Sequence, residues 1–346
     1  MVYLRKEKMC LIEVKHLTKR YGSHDAVSEL SFTIEKGGVT GFLGPNGAGK
    51  STTMNIIAGC LGPTQGEVLV GGHDVLDEPM KVRHLIGYLP EQPPVYTDMT
   101  PDEYLSFVMR AKGVHKEKRA AQLREVMDRT RLHDVKDRLI ANLSKGYRQR
   151  VGIAQALLGE PEVIILDEPT VGLDPKQIIE IRELIRELGK ERTVVLSSHI
   201  LSEVQAVCGQ ILILSRGKLV ASDTAENLER LLSGTTLTLE VRGGENEVRT
   251  ALAGVNAIES AEYMPGADGL TRILITPREN EDVREDLFYR FAAADIPILE
   301  LHRERATLED VFLELTDSDA TVNLTTQTKE TGHAQAEQQE RAGDEA

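Results

Sequence analysis

Residues 44–52 read GPNGAGKST and fit the pattern G-x-x-x-x-G-K-[ST]. Glycine has no Cβ atom, so successive backbone N–H groups in such a loop can wrap phosphate oxygens. The stretch follows a strand-like run and opens a helix-like one, whose positive N-terminal end helps to hold negative charge. Gly44, Pro45, Asn46, Gly47, Ala48 and Gly49 are expected to form the cradle. Lys50 is expected to reach β- and γ-phosphates, Ser51 to place its hydroxyl on Mg²⁺, and Thr52 to contact an α-phosphate. A glycine-rich turn with a chance lysine is the plain alternative, and the flanking strand and helix weigh against it.

A second stretch complements the first. VIILDEP at 163–169 reads as a buried strand ending on two carboxylates. Asp167 at the strand end can bind Mg²⁺ through water, as the second half of a nucleotide site. Glu168 then projects toward the γ-phosphate, where it can orient or activate an attacking water. Two acids capping a following helix would be the alternative. A third stretch, NLSKGYRQRV at 142–151, crowds Lys145, Arg148 and Arg150 at the start of a helix. The helix dipole favours acids there, although exposed charge placement is worth only ~0.3–1 kcal/mol. Either the surface is simply solvated, or an anion docks at that end.

The elements that must hold these residues can be read from hydrophobic spacing. LIEVKHLTKRY (11–21) is strand-like, and LSFTIEKGGVTGFLG (30–44) reads as strand, turn and strand. A helix is expected from Lys50 to about Ala58, stopped by Gly59. Residues 100–141 turn helical, starting at a Thr100, Pro101, Glu103 capping box. Unbroken apolar runs at 163–166 and 194–196 imply strands buried on both faces, hence a parallel sheet with helical crossovers. A helix is expected over 175–188 between them. The fold class is therefore α/β, of the phosphate-loop NTPase kind.

Near residue 234 the character changes. TTLTLEV alternates cleanly, and the order that follows is βαββαβα, with strands near 257–263, 270–276 and 297–303, helices over 245–254 and 280–294, and a last helix capped by Thr307. That order implies a small split-βαβ, ferredoxin-like module. Val248, Leu252, Leu287 and Phe291 read as its core. Three parts are expected: a nucleotide domain over 9–232 with a helical subdomain at about 91–160, an accessory α+β module over 234–316, and a polar, acidic, disordered tail over 317–346.

Composition narrows the function classes. The 346 residues are 40% hydrophobic and 28% charged, as in globular domains. A net charge of −14 argues against a general nucleic-acid binder. Cys10, Cys60 and Cys208 show no metal-ligand spacing, which fits a reduced, cytosolic setting. No apolar run approaches the ~20 residues that span a bilayer. MVYLRKEKMC lacks the apolar core of a signal peptide, and Met9 is an alternative start.

Taken in order, Gly44–Thr52, LSKGY at 143–147, Val163–Glu168, GLD at 172–174 and His199 resemble the motifs of ATP-binding cassette (ABC) ATPases, over roughly residues 11–230. The C-terminal module and TLEDVFLEL (307–315) resemble ATPase subunits of type 2 ABC exporters, including gliding-motility-like and drug-efflux-like ones. The resemblance implies ATP and Mg²⁺ as ligands. It implies a head-to-tail homodimer, or a paralogous heterodimer, of nucleotide domains. It also implies a separate transmembrane permease, docked on the helical region from Glu91 to about Ala141, with the protein peripheral on the inner face of the membrane and no nucleic-acid partner. ATP would lie between one phosphate loop and the other protomer's signature turn, so that Ser144 and Gly146 meet the γ-phosphate across the dimer.

Further roles come with the resemblance. Tyr21 would stack on adenine. His199 would reach the γ-phosphate and hold water with Glu168. Asp174 would contact the opposite protomer while capping the helix at Pro175, with Gln177 completing the box. Two departures stand out. Lys145 and Tyr147 replace the Gly and Gln of LSGGQ, and Glu91 takes the slot usually held by Gln, with Gln92 next. A soluble ABC ATPase of translation or DNA repair is the rival reading. One phosphate loop and the acidic balance disfavour it.

Overall fold

The structure, a computed structural model, describes residues 10–232, 237–255, 257–266, 269–278, 281–303 and 312. The Met9 start, the Thr307-capped helix, most of TLEDVFLEL and the acidic tail lie outside them. Two compact units meet in sequence between Ala225 and Glu226.

The first unit begins with strands β1 (Cys10–Tyr21), β2 (His24–Glu35) and β3 (Gly38–Leu43), then helix α1 (Lys50–Ile57). Strands β4 (Gln65–Val70) and β5 (His73–Asp74), helix α2 (Pro79–Leu85) and strand β6 (Ile86–Leu89) follow. Next come helices α3 (Pro101–Ala111), α4 (Lys116–Thr130) and α5 (Lys145–Leu157). The unit closes with β7 (Val163–Leu166), α6 (Pro175–Glu191), β8 (Thr193–Ser198), α7 (Leu201–Val207), β9 (Gln210–Ser215) and β10 (Lys218–Asp223); α8 (Ala225–Leu232) comes next.

Two sheets form. The first is antiparallel, in the order β2-β1-β4-β5. The second has the order β10-β9-β3-β8-β7-β6 and is parallel except for the β9–β10 pair. As their composition requires, VIIL of β7 and TVVLSS of β8 are buried at every residue. Ile12, Phe42, Met54, Ile165 and Leu212 belong to one buried cluster, and Phe32 meets Phe42 edge-on at 5.4 Å.

Register is what matters for the site. Leu43 pairs with Ser198, Leu89 with Leu166, and Leu166 with Leu196. The carboxyl ends of β3 and β8 are therefore level, those of β6 and β7 stop two residues earlier, and all four point to one edge of the sheet. The loop at 44–49, Glu91, Asp167–Glu168 and His199 all leave the sheet at that edge, where open parallel sheets bind ligands.

The helical region keeps its expected start. Thr100 Oγ1 accepts from Glu103 N–H at 3.3 Å, and Thr100 N–H donates to Glu103 Oε2 at 2.9 Å. Lys112, near the end of α3, donates to the Gln155 and Leu158 carbonyls at 3.0 and 2.8 Å. Burial lowers its pKa to about 8. Among the described residues, no helix is long and apolar enough to cross a membrane.

The second unit contains β11 (Leu237–Arg242), α9 (Glu245–Leu252), β12 (Ile258–Pro265), β13 (Leu270–Pro277), α10 (Arg284–Ala293) and β14 (Ile298–Arg303). Its antiparallel sheet has the order β12-β13-β11-β14. This is the split-βαβ arrangement. Val248, Leu252, Leu287 and Phe291 are all buried in its core.

Thr100→Ala removes the capping acceptor and is expected to lower stability by about 1 kcal/mol. Urea unfolding of the two proteins measures the difference.

Candidate functional site

The cradle is shaped by two glycines at which any Cβ would collide with neighbouring backbone. Gly49, at φ +99°, caps α1, and a Cβ there would stand 2.7 Å from the Ala26 carbonyl oxygen. A Cβ on Gly44 would stand 2.4 Å from the Leu214 oxygen. The loop is thus pressed between β2 and β9. Lys50 is only 5% exposed. Its Nζ donates to the Gly44 and Pro45 carbonyls at 2.7 and 3.2 Å and lies 3.5 Å from Glu168 Oε1. An arriving phosphate would meet an ammonium already aimed along the loop.

Asp167 and Glu168 sit where β7 ends. Both are buried, and Asp167 N–H donates to Leu89 oxygen at 2.9 Å. Glu168 has φ +48°, a left-handed conformation that costs a non-glycine residue about 1–3 kcal/mol. One hydroxyl stabilises the turn. Ser197 Oγ accepts from Glu168 N–H at 2.8 Å and donates to Asp167 Oδ1 at 2.5 Å. His199 Nδ1 lies 3.0 Å from Glu168 Oε2. Glu168 therefore has Lys50 on one carboxylate oxygen and His199 on the other.

These groups border a cleft of about 500 Å³. Asn46, Gly47, Ala48, Gly49, Lys50, Ser51, Thr52, Glu91, Glu168 and His199 line it, joined by His24, Ala26 and Val171. Gly44, Pro45 and Asp167 are not in its lining; the first two hold Lys50 Nζ through their carbonyls, and Asp167 is buried. Tyr21 does not line it; the ring is 51% exposed at the end of β1, with Lys19 Nζ 5.4 Å from its centroid. Gln92 lines a neighbouring groove of about 430 Å³ together with Lys145 and Arg148, whereas Glu91 borders both spaces.

Ser144, Gly146 and Asp174 lie away from this chain's own cleft. Ser144 caps α5, its Oγ accepting from Tyr147 N–H at 3.4 Å. Asp174 caps α6, accepting from Gln177 N–H at 2.9 Å. The expected box is only half made, because the Gln177 amide lies against Gly146, where a Cβ would be 2.3 Å from Oε1.

The three basic residues at the start of α5 separate into different roles. Arg150 is buried, donates from Nη1 to the Thr130 oxygen at 3.1 Å and pairs through Nη2 with Glu180. It pins α4, α5 and α6 together and faces no ligand, which corrects its grouping with the others. Arg148 donates to the Leu143 oxygen at 2.8 Å, and Lys145 runs across Gly172.

Sequence reasoning missed His24, Ala26, Val171 and Ser197. The first three are pocket walls brought in by topology and carry no chemical signal. Ser197 had one: a hydroxyl pair interrupting a buried apolar strand needs polar partners nearby.

An ABC transporter family model matches residues 27–171. The ABC transporter ATP-binding protein YhcH of Bacillus subtilis is 37% identical over 88% of this chain and 96% of its own length. The chain belongs to the ABC transporter ATP-binding proteins. The bacitracin transport ATP-binding protein BcrA of Bacillus licheniformis is 33% identical over 88% of this chain and 97% of its own. Among solved structures, the dimeric post-hydrolysis state of the ATP-binding cassette MJ0796, bound to ADP and Pi, matches at 28% identity with a TM-score of 0.57. That match covers 62% of this chain and 98% of the MJ0796 chain. The chain is thus an ABC ATPase, a subunit that binds and hydrolyses ATP, and the cleft at the carboxyl edge of its parallel sheet has the residue types for that reaction.

In this ABC ATPase, Ser197→Ala would leave the Glu168 N–H buried without its acceptor. A loss of about 1–3 kcal/mol is expected. It should appear as a lower unfolding midpoint, with slower phosphate release from ATP.

Proposed function

We propose that the chain is the ATPase of an ABC exporter, working as a nucleotide-sandwich dimer beneath a separate transmembrane permease. One observation carries the dimer: Ser144 and Gly146, the residues suited to meet a γ-phosphate, border no part of the cleft of their own chain. A second protomer, packed head to tail, supplies that wall. Asp174, at the start of α6, is then in the segment that meets the opposite chain.

Within the site, Lys50 and the loop N–H groups bind the phosphates, and Thr52 takes the α-phosphate. Tyr21, exposed at the end of β1, is free to stack on adenine. Glu168 orients the attacking water as its base, while His199 positions that water and the γ-phosphate. Ser51 and Asp167 offer hard oxygen ligands. Asp167 is already oriented by Ser197, and among the described residues no cluster of three His, Cys, Asp or Glu side chains competes for a metal. This donor set fits Mg²⁺, which keeps waters and phosphate oxygens among its ligands. When bound, the ion would neutralise charge on the phosphates. Glu91, bordering both the cleft and the adjoining groove, is better suited than Gln92 to link nucleotide to the permease.

Residues 9–232 act as the nucleotide domain, with the helical part at about 91–160 facing the permease. Residues 234–316 are an accessory module. The protein works peripherally at the inner membrane face. Relatives of nearly the same length with transport names favour this reading over a role in translation or DNA repair.

Glu168→Gln is expected to bind ATP, to hydrolyse it about 10²–10⁴-fold more slowly, and to dimerise stably with ATP. Single-turnover hydrolysis and size-exclusion chromatography read both effects; near-normal turnover would remove Glu168 from its role. Affinity capture from gently solubilised membranes should bring down a polytopic membrane protein. Recovery with ribosomal or repair proteins alone would reject the transport reading.

A further inference from the structure

Glu203, in the first turn of α7, is 5% exposed and has no place in the cleft lining. A buried carboxylate is costly unless its oxygens are well supplied with donors, and an apolar side chain would fill the same space more cheaply. Its nearest cation offers little: Arg182 Nη2 is 3.9 Å from Oε1. The short contacts go elsewhere. Thr170 Oγ1 donates to Glu203 Oε2 at 2.5 Å, and Ser198 Oγ donates to the same oxygen at 3.0 Å. Ser198 Oγ in turn accepts the Ile200 N–H at 3.0 Å.

The two hydroxyls come from different elements: Thr170 from the turn after β7 and Ser198 from the last residue of β8. Thr170 stands two residues after Glu168, and Ser198 stands one before His199. A single carboxylate oxygen therefore joins the turn that carries the acid to the strand end that precedes the histidine. Thr170 also starts the turns that lead to Asp174: Val171 N–H donates to the Glu168 oxygen at 3.3 Å, and Leu173 N–H to the Thr170 oxygen at 3.2 Å.

We infer that Glu203 is a positioning residue for ATP hydrolysis, a strut that fixes Glu168 against His199 by tying Thr170 to Ser198. The inference rests on Glu168 and His199 acting as the hydrolytic pair. Glu203 itself does not border the cleft and acts through Thr170 and Ser198. Its removal should loosen the 3.0 Å contact between Glu168 and His199 while leaving the phosphate loop, which it does not contact, intact.

The test is steady-state ATP hydrolysis by the full chain, with nucleotide affinity measured alongside. Glu203→Ala is expected to lower kcat about 10–100-fold, the scale of a roughly 1 Å misplacement of catalytic groups. KM and ATP affinity should stay within about threefold, since ground-state contacts are kept. Glu203→Gln retains an oxygen that can accept from both hydroxyls, and should recover most of the lost kcat. Thr170→Val breaks one of the two bonds with little change of shape. It should lower kcat by a smaller factor, and it stands as the test if Glu203→Ala does not fold. Turnover within twofold of wild type in Glu203→Ala or Thr170→Val, with Glu168→Gln inactive, would overturn the strut. So would a parallel loss of ATP affinity that Glu203→Gln does not rescue, because that is the signature of general unfolding. Near-normal turnover in Glu168→Gln would dissolve the pair and the proposal with it.

Discussion

A buried ammonium must be surrounded by acceptors, and the site is organised around the acceptors given to Lys50. Its Nζ has two loop carbonyls and Glu168 within reach. The carbonyls are available only because the loop is pressed against neighbouring strands, which the missing Cβ atoms of Gly44 and Gly49 permit. Glu168 is available only because β7 ends two residues short of β3 along their shared neighbour β8, so that the second residue after the strand comes abreast of the end of β3. Sheet register, glycine placement and the acid at the strand end thus serve one charge. That charge is compact, strongly hydrated in water and mobile on its stem, so without these partners it would turn to solvent rather than inward.

The electrostatics are correspondingly layered. Lys50 and His199 flank Glu168, Ser197 ties Glu168 to Asp167, and Glu203 ties the segments behind them. Each of these links joins groups from different segments of the chain. Such networks specify geometry well when every member is satisfied and fail when one is removed. Catalysis by positioning depends on that property, since most of the work in phosphoryl transfer is holding groups in place.

Much of this was legible in the sequence because the relevant signals are local. The Gly44–Thr52 pattern, the apolar runs of β7 and β8 and the Thr100 cap each state their own structure within a few residues. The order of strands and helices after residue 237 likewise carried the split-βαβ sheet. What sequence could not show were contacts between distant elements. His24 and Ala26 reach the cleft only because β2 lies over the loop. Arg150 read as one of three surface cations, yet it pairs with Glu180, thirty positions away. Gln177 fitted the spacing of a capping box and instead packs on Gly146. In each case a long-range partner outweighed the local rule.

The left-handed backbone at Glu168 has a consequence for how this protein can change. Glycine is the residue that adopts φ +48° without strain, so the position is one where conformational stability and turnover favour different residues. A glycine there would relax the turn and remove the carboxylate. With Glu168 in the role proposed for it, selection for heat resistance alone would therefore work against turnover at this position, and stabilising changes that preserve activity would have to fall elsewhere.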